Sequence, residues 1–122
     1  YPSSHYGRDA LVGIALFLTH LAKKNMSMSE LRASYPNYVI SKNKVELTPS
    51  IDIDNLVSKI SKKYSHVEQN VIDGLKLEFE DEWVHLRKSN TEPIIRIYAE
   101  SKDVEKANML ASRFVEEVKS LM

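Results

Sequence analysis

Residues 75–100 read LKLEFEDEWVHLRKSNTEPIIRIYAE, and the period-two alternation around two polar turns decides the fold. Leu75, Leu77 and Phe79 alternate with Lys76, Glu78 and Glu80, the pattern of a half-buried strand. Glu80-Asp81-Glu82 turns the chain. Trp83–Arg87 returns with Val84 and Leu86 on one face and Trp83 and His85 on the other. Ile94–Glu100 is a third strand: Ile95, Ile97 and Ala99 face one way, Ile94, Arg96 and Tyr98 the other. The last two strands enclose the polar segment Lys88–Pro93.

Working outward, Asp73-Gly74 is a turn. Ile53, Leu56, Val57, Ile60 and Tyr64 recur at helical spacing and predict an amphipathic helix over 52–64, with Asp52 and Asp54 in its first turn, where the helix dipole favours negative charge. Val104, Ala107, Leu110, Ala111, Phe114, Val118 and Leu121 mark a C-terminal helix, with Ser101 as the expected N-cap. Residues 38–47 lean towards β structure, with Ser41–Lys44 as a bend or a solvated middle, and supply one more strand. The predicted fold class is α+β: a four-stranded antiparallel sheet with two helices on one face.

The N-terminal third differs in kind. Residues 9–24 predict a helix that is apolar nearly all round (Leu11, Val12, Ile14, Leu16, Phe17, Leu18, Leu21), as suits a helix surrounded by other protein. Its neighbours are expected upstream, and the start at Tyr1-Pro2 without Met fits an excised fragment. Exposed, such a surface would drive self-association through helix 9–24. Ser27 and Glu30 form a capping box, with Met26 and Leu31 as the staple. Pro36 forces an extended exit. The expected organisation is therefore 1–37 as a helical remnant with a hinge and 38–122 as a complete domain.

Composition narrows the function classes. The 122 residues carry 17 Lys+Arg against 17 Asp+Glu, so bulk attraction to nucleic acid is not expected. There is no cysteine, which excludes disulfides and thiolate metal sites, and with no signal peptide visible a cytoplasmic location is the default expectation. The apolar run Leu11–Leu18, broken by Gly13, is shorter than the roughly 20 residues a membrane span takes. The four histidines show no metal-ligand spacing.

The segment 86–96 carries the candidate chemistry. Arg87 and Arg96 lie on neighbouring strands, so two guanidinium forks can converge on one anion. Ser89 and Thr91 add hydroxyl donors, and the turn at Asn90 can present backbone N–H groups to an anion. Pro93 stiffens the exit. The residues alone leave two readings open: a phosphate cradle, or a solvated hairpin whose arginines pair with Glu78, Glu92 or Glu100. Trp83, His85 and Tyr98 either line the cleft side of the loop or are simple surface residues.

Asp73-Gly74, Trp83-Val84-His85-Leu86-Arg87-Lys88-Ser89-Asn90-Thr91-Glu92-Pro93 and Arg96 together resemble the C-terminal domain of the α-D-phosphohexomutases: the phosphoglucomutases, phosphomannomutases and phosphoglucosamine mutases. The match is dense over about residues 71–100, with Lys88 where the family often has Pro and Asn90 where it often has Gly. Gly7-Arg8-Asp9-Ala10-Leu11-Val12 resembles the start of the last helix of the family's α/β third domain. The resemblance implies a TATA-binding-protein-like fourth domain. It further implies an isomerase that moves phosphate between the 1- and 6-positions of a hexose, through a phosphoserine and a bisphosphorylated sugar. By carry-over Arg87, Ser89, Asn90, Thr91 and Arg96 bind the non-reacting phosphate of a hexose phosphate or bisphosphate. Catalytic serine and magnesium (Mg2+) loops would belong to missing domains one to three of the parent enzyme. No catalytic or metal residue is expected here, and the fragment alone would be inactive.

Two look-alikes are set aside. Ser3-Ser4-His5 resembles the family's phosphoserine loop but continues Tyr6-Gly7. Asp52-Ile53-Asp54 resembles the magnesium loop but continues with Asn55, and suits a helix's first turn better. The alternative function is a stand-alone nucleic-acid- or phosphoprotein-binding α+β module. Neutral charge counts against nucleic acid.

Overall fold

The computed structural model describes residue 3 and residues 7–48 and 51–122. The chain divides into two compact units, Tyr1–Pro36 and Asn37–Met122.

In the first unit, α1 (Ala10–Lys24) starts at Asp9, whose carboxylate accepts from the Val12 N–H. It ends at Asn25 in the left-handed region, φ 49°, a conformation Asn tolerates better than most residues. None of its residues is buried, and Leu11 is 78% exposed. The capping box of α2 (Met28–Ala33) forms as expected: Ser27 and Glu30 exchange backbone and side-chain hydrogen bonds. The Ser27 N–H, bonded at 2.8 Å, holds the Glu30 carboxyl below the usual carboxylate range. Leu31 is buried and Met26 is 41% exposed, so only one side of the expected staple is covered. The look-alike residues Ser4 and His5 lie outside the described residues.

The second unit runs β1 (Val39–Glu46), α3 (Ile53–Lys63), β2 (Glu68–Asn70), β3 (Leu75–Glu78), β4 (Trp83–Lys88), β5 (Ile94–Ser101), α4 (Val104–Ser120). The strands form one antiparallel sheet in the order β1-β5-β4-β3-β2. The alternation holds in register: Leu75 faces Leu86, Leu86 faces Ile97, Leu77 faces Val84 and Val84 faces Ala99. These side chains form one core with Leu56 and Ile60 of α3 and Leu110, Phe114 and Val118 of α4. Each large apolar side chain so covered contributes roughly 1.5–3 kcal/mol. Both helices therefore cover one sheet face, and the other face is open.

Three expectations change. The sheet has five strands, not four: the short edge strand β2 is added beside β3. Its Glu-Gln-Asn sequence carries no apolar alternation, and Gln69 ties it to α3 instead. Gln69 Nε2 donates to the Ser61 and Tyr64 carbonyls at 2.9 and 2.8 Å, satisfying acceptors that a helix end leaves open. Of the two readings of Ser41–Lys44 the bend fails and the solvated middle holds: the segment is continuous strand paired with β5, with Lys42 and Lys44 exposed. The N-cap of α4 is Asp103, which accepts from the Lys106 N–H; Ser101 is buried at the end of β5. Among the described residues, no helix is long and apolar enough to cross a membrane.

Candidate phosphate-binding site

The segment 89–93 closes the β4–β5 hairpin. The Ser89 N–H donates to the Ile94 carbonyl at 3.0 Å, the Ile94 N–H to the Glu92 carbonyl at 2.8 Å, and the Leu47 N–H to the Pro93 carbonyl at 2.8 Å. The last bond ties the loop to the end of β1. Inside the turn, the Thr91 N–H and the Ser89 hydroxyl are 3.4 Å apart, as are the two hydroxyls. Asn90 makes no hydrogen bond to another described residue.

Arg87 and Arg96 are register partners on β4 and β5 and occupy the open face. Like charges directly opposite across a sheet repel, and each arginine has a carboxylate within reach that offsets this. Of the three partners the solvated-hairpin reading offered, Glu78 and Glu100 pair with neither arginine, and Glu92 does contact Arg96. Glu78 takes Lys76 at 2.9 Å, and Glu100 accepts from Trp83 Nε1 at 2.9 Å. Arg96 has a loose contact with Glu92 at 3.9 Å, and Arg87 pairs with Asp73 at 3.2 Å. All four side chains are at least 41% exposed, so these ion pairs cost little to rearrange.

The turn at Asp73-Gly74 seats Arg87. Gly74 has φ +88°, and a Cβ there would lie 2.3 Å from the Leu86 carbonyl oxygen and 3.2 Å from the Arg87 Cα. Only glycine lets the turn come this close to β4. The Asp73 carbonyl also contacts His85 Nε2, which gives His85 a structural role. Arg87, Lys88 and Asn90 then line a cleft of about 320 Å³ with Asp73, Gly74 and the apolar Val71 and Ile72. Arg96 lines a neighbouring cleft with Lys42, Lys44 and Tyr98. The fold thus brings Arg87 and Asn90 into one cleft and sets Ser89 beside Thr91 in the adjoining turn. Arg96 stands across the strand pair. The seating role of Asp73 and Gly74 was not assigned from sequence, although the dipeptide's turn signal marked the place.

The implied magnesium does not fit these residues. Asp52 caps α3 by accepting from the Asn55 N–H at 3.0 Å, and Asp54 lies 3.3 Å from Lys88 Nζ. Among the described residues no group of three or more His, Cys, Asp or Glu is placed to hold a metal.

The second unit is thus a helix-backed antiparallel sheet with an arginine-framed turn on its rim. The family described as "Phosphoglucomutase/phosphomannomutase, C-terminal domain" matches residues 44–117, and the chain belongs to it. A phosphoglucosamine/phosphogalactosamine mutase of Sulfurisphaera tokodaii is 43% identical over 114 residues, covering 92% of this chain and 25% of that protein. A phosphoglucomutase/phosphomannomutase of Thermococcus kodakarensis is 35% identical over 109 residues, covering 88% and 24%. A crystal structure of a phosphoglucomutase/phosphomannomutase family protein from Burkholderia thailandensis superposes with a TM-score of 0.54 at 25% identity, over 76% of this chain and 20% of that one. The chain spans about a quarter of the length of these curated relatives.

Proposed function

We propose that the chain is the substrate-phosphate clamp of a phosphohexomutase acting on hexose or hexosamine phosphates. Residues 38–122 are the C-terminal domain of the parent enzyme, and residues 1–37 are the end of its third domain and the hinge. Arg87, Ser89, Asn90, Thr91 and Arg96 hold the phosphate that is not reacting, while domains one to three supply the phosphoserine and the magnesium. The parent moves phosphate between the 1- and 6-positions through a bisphosphorylated sugar and works in the cytoplasm. Binding energy at the remote phosphate orients the reacting end. The observation that carries the reading is the pair Arg87 and Arg96, in register on the open face beside a hydroxyl-rich turn, in a chain of this family.

The test is calorimetric titration of the 122-residue chain with glucosamine 6-phosphate. Arg87→Gln is expected to weaken binding about ten-fold or more, since a charge-assisted hydrogen bond contributes roughly 1.5–3 kcal/mol. Ser89→Ala is expected to weaken it less. The chain alone is expected to show no mutase turnover, and detectable turnover contradicts that part. Tight, salt-dependent binding of an oligonucleotide would favour a nucleic-acid module instead. A phosphopeptide that the sugar phosphate cannot displace would favour phosphoprotein recognition.

A further inference from the structure

The open sheet face carries charges of both signs, with Glu46 exposed on the same face of β1 as Lys44. Far from the turn, the acids are occupied: Glu100 accepts from Trp83, and Glu78 pairs with Lys76. At the turn end, three cations stand side by side. Lys44 of β1 is the register partner of Arg96, which is the partner of Arg87. With strands about 4.8 Å apart, the row spans about 10 Å. Asp73 and Glu92 partly offset the two arginines. Lys44 has no hydrogen-bond or ion-pair partner among the described residues. It shares with Arg96, Lys42 and Tyr98 a shallow cleft of about 600 Å³. Lys42 is engaged differently, its Nζ 5.8 Å from the Tyr98 ring centroid. The bond from the Leu47 N–H to the Pro93 carbonyl fixes β1 against the turn, so Lys44 keeps its place relative to the hydroxyls.

We propose that Lys44 is a further phosphate-binding residue, completing with Arg96 and Arg87 a three-strand cation row that receives the dianion of a phosphate monoester. The inference deepens the clamp reading and rests on it. The arginines supply planar forks that fix orientation, and the lysine supplies a mobile point charge at the open edge of the row. Repulsion along the empty row is relieved when the anion binds.

The experiment titrates inorganic phosphate and glucosamine 6-phosphate into the full chain and its variants. Lys44→Met is expected to weaken both about ten-fold, in line with the loss of one charge-assisted contact. Lys44→Arg is expected to stay near wild type, as is the equal-charge control Lys59→Met on the exposed side of α3. A thermal melt gives the second readout: without phosphate Lys44→Met melts no lower than wild type, and phosphate raises its midpoint less. If Lys44→Met binds like wild type while Arg87→Gln is weakened, the inference falls and the clamp reading stands. An equal loss in Lys59→Met also overturns it. Lys44-dependent binding of inorganic phosphate without any binding of the sugar phosphate supports the row and sinks the clamp reading. Failure of wild type to bind either probe overturns both.

Discussion

At the scale of single residues, the proposed site depends on a glycine as well as on the groups proposed to meet the ligand. The positive φ of Gly74 and its approach to the Leu86 carbonyl leave no room for a methyl group. Gly74→Ala is expected to destabilise the chain by about 1–3 kcal/mol and to weaken phosphate binding by displacing Arg87, measurable by urea unfolding and titration. A second test concerns Tyr64, buried where the helices meet. Its hydroxyl donates to Glu117 at 2.7 Å and accepts from Arg113 at 3.0 Å, and its ring lies 5.2 Å from that of Phe114. Burial pushes the phenol's pKa up, and the bond to Glu117 adds to the rise. The folded state thus prefers the neutral phenol. Its contribution is complete below the ordinary tyrosine value and is lost as pH rises from there through the folded value. Tyr64→Phe should cost about 1 kcal/mol at neutral pH and make the alkaline loss of stability shallower in pH-dependent denaturation.

At the scale of elements, what could be read in the sequence tracks what each segment buries. The strands around Leu77, Val84 and Ile97, and the helices around Leu56 and Phe114, alternate because one face meets a common core, and that periodicity is visible in the chain. Strand β2 buries almost nothing and is held by backbone pairing and Gln69, so it left no pattern. Strand β1 is mixed for the same reason: its edge position exposes Lys42 and Lys44. Without its register, Lys44 could not be placed beside Arg96. The loop's residue types were legible, but the seating of Arg87 by Gly74 needed the approach of two distant segments. Helix α1 has a legible sequence and no buried residue. Leu11→Ser and Leu18→Ser should therefore change stability by less than about 0.5 kcal/mol. We expect them also to reduce self-association of the chain, checked by sedimentation at rising concentration.

At the scale of the whole molecule, the chain divides into two compact units, to which the proposal gives separate roles. Among the described residues the buried core of the second runs from Val45 to Val118, with Leu121 packed against it, so residues 37–122 are expected to fold alone in one cooperative transition, checked by calorimetry. The apolar helix of the first unit fits the proposed third-domain end, to be covered by the rest of the parent enzyme. In that arrangement the second unit brings the phosphate clamp, and the chemistry is done by the other domains. The most direct test is a heteronuclear NMR titration of the 122-residue chain with glucosamine 6-phosphate. The account predicts saturable shifts in Gly74, Arg87, Ser89, Asn90, Thr91 and Arg96, reproduced in part by inorganic phosphate and absent from the outer faces of α3 and α4. Saturable shifts centred elsewhere, or none at sugar phosphate concentrations well above those a substrate site needs, would contradict it.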